Sequence, residues 1–168
     1  MILLKDIEFT LDERSVAKAV QELNDFIRYL SNAMAILLNT LAERGVEIAK
    51  ANIMAFDKPA VDTGALQDSI FSAMLNKETA VIATGVMYAL FVEYGTGIIG
   101  EFEHHPEPNG YGYDVNGHGV DGWVYHGTDG KFHHTLGMES RPFMYNTLRD
   151  LEIDAEKIGA RVIAEYIR

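Results

Sequence analysis

The strongest constraint on the fold is a series of apolar residues in the first third of the chain, spaced alternately four and three residues apart. Such steps return to one face of an α-helix, so they predict a long amphipathic helix. Thr10 and Glu13 fit a capping box at its start, and the pattern continues through Ile48 to about Met54. A helix of about 40 residues is roughly 60 Å long, more than a compact domain of this size requires, so we expect it to project, to bend at Gly45, or to pack on a neighbouring subunit. The face consists of Val16, Val20, Leu23, Ile27, Leu30, Met34, Leu37 and Leu41.

A β-hairpin is predicted to follow this helix. Pro59 ends the helix, because the residue before a proline resists helical angles. Asp62 and Gly64 then suit a tight turn. The runs 65–75 and 79–86 are rich in strand-forming residues on either side of Asn76-Lys77, so they predict two antiparallel strands.

The segment Met87–Gly97 predicts a short apolar helix that is stopped by glycine. Gly95 stands where a helix end favours a left-handed residue, a conformation that glycine adopts without steric cost. Four bulky residues in this segment predict that it is buried, namely Tyr88, Phe91, Val92 and Tyr94.

Residues 95–137 differ in composition from the rest of the chain. They hold eleven of the fifteen glycines, all six histidines and the single tryptophan. Thr128-Asp129-Gly130 lies between two strand-like runs, 120–126 and 131–136, and predicts a second hairpin. We expect one domain, 1–168, that carries a loop-rich insertion at about 98–137.

The last part of the chain predicts a second long helix. Pro142 suits its first turn, and an apolar face follows through Met144, Leu148, Leu151, Ala155, Ile158 and Val162. The predicted fold class is therefore α+β: a long N-terminal helix, a small antiparallel sheet, a C-terminal helix packed on that sheet, and the insertion with its hairpin.

Composition narrows the classes of function. The chain has no cysteine, which excludes disulfides and cysteine-ligated zinc. Its formal net charge of −11 repels phosphate and argues against tight nucleic-acid binding. No apolar run approaches the roughly 20 residues of a membrane span, so no membrane partner is expected.

Three landmarks in order resemble the neck, head–tail joining or tail-completion proteins of long-tailed bacteriophages. The first landmark is Val61, Asp62, Thr63, Gly64, Leu66, Ser69 and Ile70; the second is Tyr88, Ala89, Val92, Glu93, Gly95 and Thr96; the third is Pro142, Phe143 and Met144. The resemblance covers roughly residues 15–97 and 138–168. The connection between the second and third landmarks is short in that family, whereas here it is about 40 residues long.

The resemblance implies a structural role in the virion. It implies a homo-oligomeric ring of about six or twelve copies at the head–tail interface, assembled in the bacterial cytoplasm. Its expected partners are further copies of itself and other neck, connector and tail-tube proteins, and DNA passes through the lumen without specific binding. No catalytic residue, cofactor or metal is implied. The motif residues are expected to be structural: Asp62, Thr63, Gly64, Tyr88, Glu93, Gly95, Thr96, Pro142 and Phe143.

The alternative function is a metal-dependent hydrolase or nuclease that uses the insertion. Histidine with nearby carboxylates can hold zinc or another divalent metal. The spacing matches no closed zinc site, so solvated or interface histidines are the favoured interpretation. The candidate ligands are His104, His105, His118, His126, His133 and His134. Asp62-Thr63-Gly64 also resembles the aspartic protease motif, which needs a second copy to share one proton. A homodimer could supply that copy, but such a protease is nearly all β, whereas this chain has two long helical patterns, so a turn is the favoured interpretation.

Aromatic side chains in the insertion are candidates for an oligomer interface, although they could instead anchor the loop to its own domain. They are Tyr111, Tyr113, Trp123, Tyr125 and Phe132. Glu93 predicts a buried carboxylate paired with Arg141. Carboxylates are also expected to line the lumen and repel DNA, from Asp150, Glu152, Asp154 and Glu156 or from Glu101, Glu103 and Glu107.

Overall fold

The computed structural model describes residues 7, 10–56, 64–114 and 116–166, and of Tyr166 it describes only the backbone. Pro59 and the first-landmark residues Val61, Asp62 and Thr63 lie outside the described residues. The fold is α+β, as the sequence predicts. Its elements are α1 Glu13–Met54, α2 Ala65–Asp68, β1 Ile70–Asn76, β2 Thr79–Thr84, α3 Ala89–Tyr94, α4 Gly97–Phe102, a 3-10 turn Gly119–Asp121, β3 Trp123–His126, β4 Phe132–Thr135, β5 Gly137–Met138 and α5 Phe143–Tyr166.

Helix α1 confirms the long helix and its end at Met54 but corrects its cap. The N–H of Ser15 donates to the Asp12 carboxylate at 3.0 Å, so Asp12 caps the helix in place of the predicted pair Thr10 and Glu13. Hydrogen bonds from the Thr10 hydroxyl and then from the Ser15 N–H hold the pKa of Asp12 below its usual value. The helix does not end at Gly45. A Cβ at Gly45 would lie 2.1 Å from Ile82 Cδ1, so this glycine allows β2 to approach the helix.

The chain divides into two compact units, and α1 contributes residues to both. One unit consists of residues Met1–Gly45, Ser72–Ile82 and Leu151–Arg168, and the other of Val46–Phe71 and Ala83–Asp150. In the first unit the buried apolar residues are Ala33, Ala42 and Val162. In the second they include large side chains, among them Ile53, Leu66 and Phe143, and this unit holds all three landmarks as far as they are described.

Both predicted hairpins are present. Strands β1 and β2 form one two-stranded sheet and β3 and β4 form the other. In the second sheet Trp123 pairs with Thr135 and His126 pairs with Phe132. The predicted first strand is wrong at its start, because residues 65–68 are helical and β1 begins at Ile70. Gly64 explains this turn: its φ is 79°, and its carbonyl accepts the N–H of Asp68 at 2.9 Å.

The short helix of the second landmark is amphipathic, and it is not buried on all sides. Ala89 and Val92 are buried, but Tyr88 is 42% exposed and Phe91 37% exposed, so the prediction that every bulky residue here is buried is wrong. Gly95 has the predicted positive φ of 83°. Its ψ of 175° places it in the mirror image of the extended region, however, and not in the left-handed helical region.

Candidate functional site

Glu93, in the last turn of α3, is a buried carboxylate with hydrogen-bond partners on two other segments of the chain. Its side chain is largely buried, and its two oxygens accept the N–H groups of Met144 at 2.8 Å and Tyr145 at 2.9 Å. These amides belong to the first turn of α5, where no carbonyl of the same helix can accept them. The carboxylate therefore caps α5, and its negative charge complements the positive end of the helix dipole.

His105 completes the environment of this carboxylate. Its Nε2 lies 3.1 Å from Glu93 Oε1, and its Nδ1 lies 2.9 Å from both the amide nitrogen and the carbonyl oxygen of Glu107. Because an ionised carboxylate only accepts, the hydrogen bond to Glu93 is donated by Nε2. The ring stacks on Tyr94 with centroids 4.4 Å apart and meets the edge of Tyr145 at 5.3 Å.

Two hydrogen bonds to backbone carbonyls join the same two segments. The Ser140 hydroxyl donates to the Glu93 carbonyl at 2.6 Å, and the Arg141 N–H donates to the Val92 carbonyl at 2.8 Å. The Arg141 side chain pairs with Glu139 at 3.2 Å, so the predicted pair between Glu93 and Arg141 is wrong. The Arg141 guanidinium contacts Glu139 on its own segment, whereas two amides of α5 and the His105 imidazole contact the two oxygens of Glu93.

Close backbone contacts explain Gly95 of the second landmark and Gly137 on the facing segment. Thr96 and Gly97 form isolated antiparallel bridges with Met138 and Gly137. A Cβ at Gly95 would lie 2.7 Å from the Met138 carbonyl oxygen, and one at Gly137 would lie 1.8 Å from that of Thr96. A side chain at either position would push the two segments apart. We call Glu93, His105 and these joined segments, 92–97 and 137–145, the Glu93 junction.

The histidines of the insertion do not converge on one point. Among the described residues, no group of three or more histidine and carboxylate side chains is arranged to hold a metal ion. His133 lies 2.9 Å from Asp129, and this hydrogen bond, followed by one from the Lys131 N–H, lowers the pKa of Asp129. The other histidines contact separate partners: His104 the carbonyl of His105, His118 the ring of Trp123, His126 the ring of Phe132, and His134 the carbonyl of Asp121.

The five aromatic interface candidates fall into two groups. Tyr111 stacks on Tyr94 with centroids 4.7 Å apart, and Tyr113 meets Tyr111 edge-on at 5.1 Å. Burial is the main cause of a raised pKa at Tyr111. These two tyrosines anchor the insertion to its own domain, the alternative that the sequence left open. Tyr125 and Phe132 are 48% and 78% exposed, whereas Trp123 is partly covered by His118.

The sequence drew attention to Glu93 but gave no sign that His105 is its partner. The two residues are twelve positions apart with a change of direction between them, and no periodicity connects them. Comparisons with protein-family models, with curated proteins and with solved structures find no match. Within the described ranges, no helix is long and apolar enough to cross a membrane.

Proposed function

We propose that this chain is a structural component of a bacteriophage virion at the head–tail junction, where it forms a homo-oligomeric ring through which DNA passes. The observation that carries the proposal is the Glu93 junction. Glu93 belongs to the second landmark and caps the helix that the third landmark begins. Residues of the second and third landmarks thus meet in one structural feature, which supports the resemblance on which the proposal rests.

Exposed apolar side chains on the insertion support an assembling role. Phe102 is 80% exposed, Val120 71%, Val124 60% and Phe132 78%. Large apolar surfaces left in water commonly mark protein–protein contacts. In a ring or a neck, a neighbouring subunit or the next virion protein would cover them.

Charge favours passage of DNA without binding to it. Asp154 pairs with Arg44 at 2.9 Å and Asp150 accepts from Asn52 at 3.1 Å, so these carboxylates have partners within the chain. The exposed carboxylates Glu101, Glu103 and Glu107 of the insertion are the stronger candidates for a lumen that repels phosphates.

The test is the mass and shape of the purified full-length protein. We expect light scattering to give about six or twelve times the chain mass of 18.7 kDa, and electron microscopy to show closed rings with a channel. Phe132→Ser should lower the mass, whereas Thr128→Ala on the same hairpin should leave it unchanged. A monomer that binds zinc stoichiometrically would support the hydrolase instead, and sub-micromolar affinity for duplex DNA at physiological salt would contradict the open lumen.

A further inference from the structure

The apolar face of α1 between residues 16 and 34 is open to solvent. In a protomer that stood alone, such a face would normally be covered by the rest of its own domain. Here each large side chain leaves between 38% and 55% of its surface exposed, over a helix length of roughly 27 Å. We call this face the heptad seam; it consists of Val16, Val20, Leu23, Ile27, Leu30 and Met34.

The spacing of the seam is that of a coiled coil. Steps of four and three repeat every seven residues, which keeps two helices in contact as they wind around each other. In this register Val20, Ile27 and Met34 occupy the a positions, and Val16, Leu23 and Leu30 occupy the d positions. Two of the three a residues are β-branched and two of the three d residues are leucine, a combination that favours parallel two-helix contacts.

The charges around the seam allow a second identical copy to approach. Lys18, Glu22, Asp25 and Arg28 all fall on the b, c and f positions of the heptad, away from the seam. They pair along their own helix, Lys18 with Glu22 at 3.7 Å and Arg28 with Asp25 at 3.0 Å. Residues 29–42 carry no charge. An acidic chain can therefore place this face against itself without like-charge repulsion.

The residues at the flanking e and g positions also favour a second identical copy as the partner. In charged coiled coils these positions select an unlike partner through salt bridges. Here they are uncharged, and several are small, so they offer no such selection against an identical helix. They are Ala17, Ala19, Asn24, Phe26, Ser31 and Ala33, of which Ala33 is already buried within the protomer.

The area is sufficient for a specific contact between two copies. Six half-exposed side chains would remove on the order of 500 Å² per copy, or about 1,000 Å² in total, which is near the lower limit for a specific interface. A contact of this size is expected to be weak in isolation.

We propose that the heptad seam of one copy packs against the heptad seam of a second copy, with the two helices parallel and in register. The inference rests on the proposed self-assembly and adds the surface and its orientation. A parallel, in-register pair has its twofold axis along the helices, so the seam joins copies in pairs and a ring would close through a different surface; an antiparallel pair has its twofold axis across the helices.

Disulfide trapping tests the orientation. The chain has no native cysteine, so every cross-link forms between the introduced residues. Val16→Cys and Met34→Cys are prepared as separate full-length proteins and oxidised alone and as a mixture. Parallel packing predicts a homodimer with each variant alone. Antiparallel packing predicts a cross-link only between the two variants, because residues 16 and 34 are roughly 27 Å apart along the helix and a disulfide spans about 6 Å between Cα atoms. Gln21→Cys, on the outer face of α1, is the control and should not cross-link.

Charge substitution tests whether the seam is the contact. Ile27→Asp should weaken association at least about tenfold, because it brings two carboxylates together in an apolar seam. Asn32→Asp adds the same charge on the exposed outer face and should leave association unchanged. Helix content by circular dichroism should match the parent in both variants, because Ile27 is 55% exposed in the protomer.

The outcomes separate this inference from the proposed function. Rings that persist with Ile27→Asp, or cysteines that fail to cross-link in intact rings, would overturn the seam contact and leave the neck role standing. Parallel cross-links in a particle that is only a dimer would support the seam contact and contradict the ring.

Discussion

The Glu93 junction and the heptad seam differ in whether their side chains are covered within the protomer. At the junction the polar groups of Glu93 find partners inside the chain, and a buried Phe143 follows at the start of α5. Along the seam, Leu23 and Ile27 leave half of their surface in water. Segments that satisfy their own hydrogen bonds define the protomer, whereas a regular, uncharged and exposed face is adapted to contact between protomers.

Among the substitutions that test this difference, we expect Glu93→Ala to have the largest effect. Removing the carboxylate leaves two helix amides and His105 without a partner in a buried site. We expect a loss of about 3–5 kcal/mol in the free energy of unfolding. Chemical denaturation followed by the fluorescence of Trp123, the single tryptophan, reports on the unit that contains the junction.

Glu101→Ala is the matched control for this change, because Glu101 is exposed. It should shift the unfolding free energy by less than about 0.5 kcal/mol. Equal effects of the two substitutions would mean that Glu93 is not a buried cap.

Gly95→Ala tests the close approach of the two segments at the junction. The new Cβ would lie 2.7 Å from the Met138 carbonyl oxygen, and the positive φ of 83° adds strain. Together these predict a loss of about 2–3 kcal/mol, measured by the same denaturation experiment. Gly110→Ala has a similar φ of 78° but nothing within 4 Å of the new Cβ, so it isolates the contribution of φ and should cost less. If the two variants lose equal stability, the backbone contact at Gly95 contributes nothing.

His105→Phe removes the hydrogen bond to Glu93 and keeps an aromatic ring against Tyr94. Because two backbone amides still hold the carboxylate, we expect a loss of about 1–2 kcal/mol, smaller than that of Glu93→Ala. The double variant with Glu93→Ala should lose less than the sum of the single losses, since both changes remove one shared contact. Full additivity would show that the pair does not interact.

The sequence predicted the elements whose signals are local. Helix α1 has its periodicity and the hairpin β3–β4 has Asp129-Gly130 at its turn, so both were found. The predicted cap of α1 is wrong because the Thr10 hydroxyl donates to Asp12, and the Asp12 carboxylate, two residues further along the chain, accepts the Ser15 N–H.

The partners of Glu93 could not be predicted for a physical reason. They are 51 and 52 residues away in α5 and twelve residues away at His105. Such contacts depend on how distant segments pack against each other. The spacing of apolar residues within a single helix does not indicate that packing. The seam shows the same limit, because its pattern identified the face but not what covers it.

The smallest expected effect is a gain in stability from Gly159→Ala. Gly159 lies inside α5, in the unit that also contains the heptad seam, and nothing lies within 4 Å of a Cβ built on it. Alanine restricts the unfolded chain and favours the helix, so we expect the unfolding free energy to rise by about 0.5–1 kcal/mol. Circular dichroism at 222 nm during denaturation measures this, at a protein concentration low enough to keep the chain dissociated. The same substitution thus has opposite signs at Gly95 and at Gly159, because one glycine is closed in by backbone and the other has room for a methyl group. A loss of stability at Gly159 would mean that a neighbouring segment or a second copy already occupies that space.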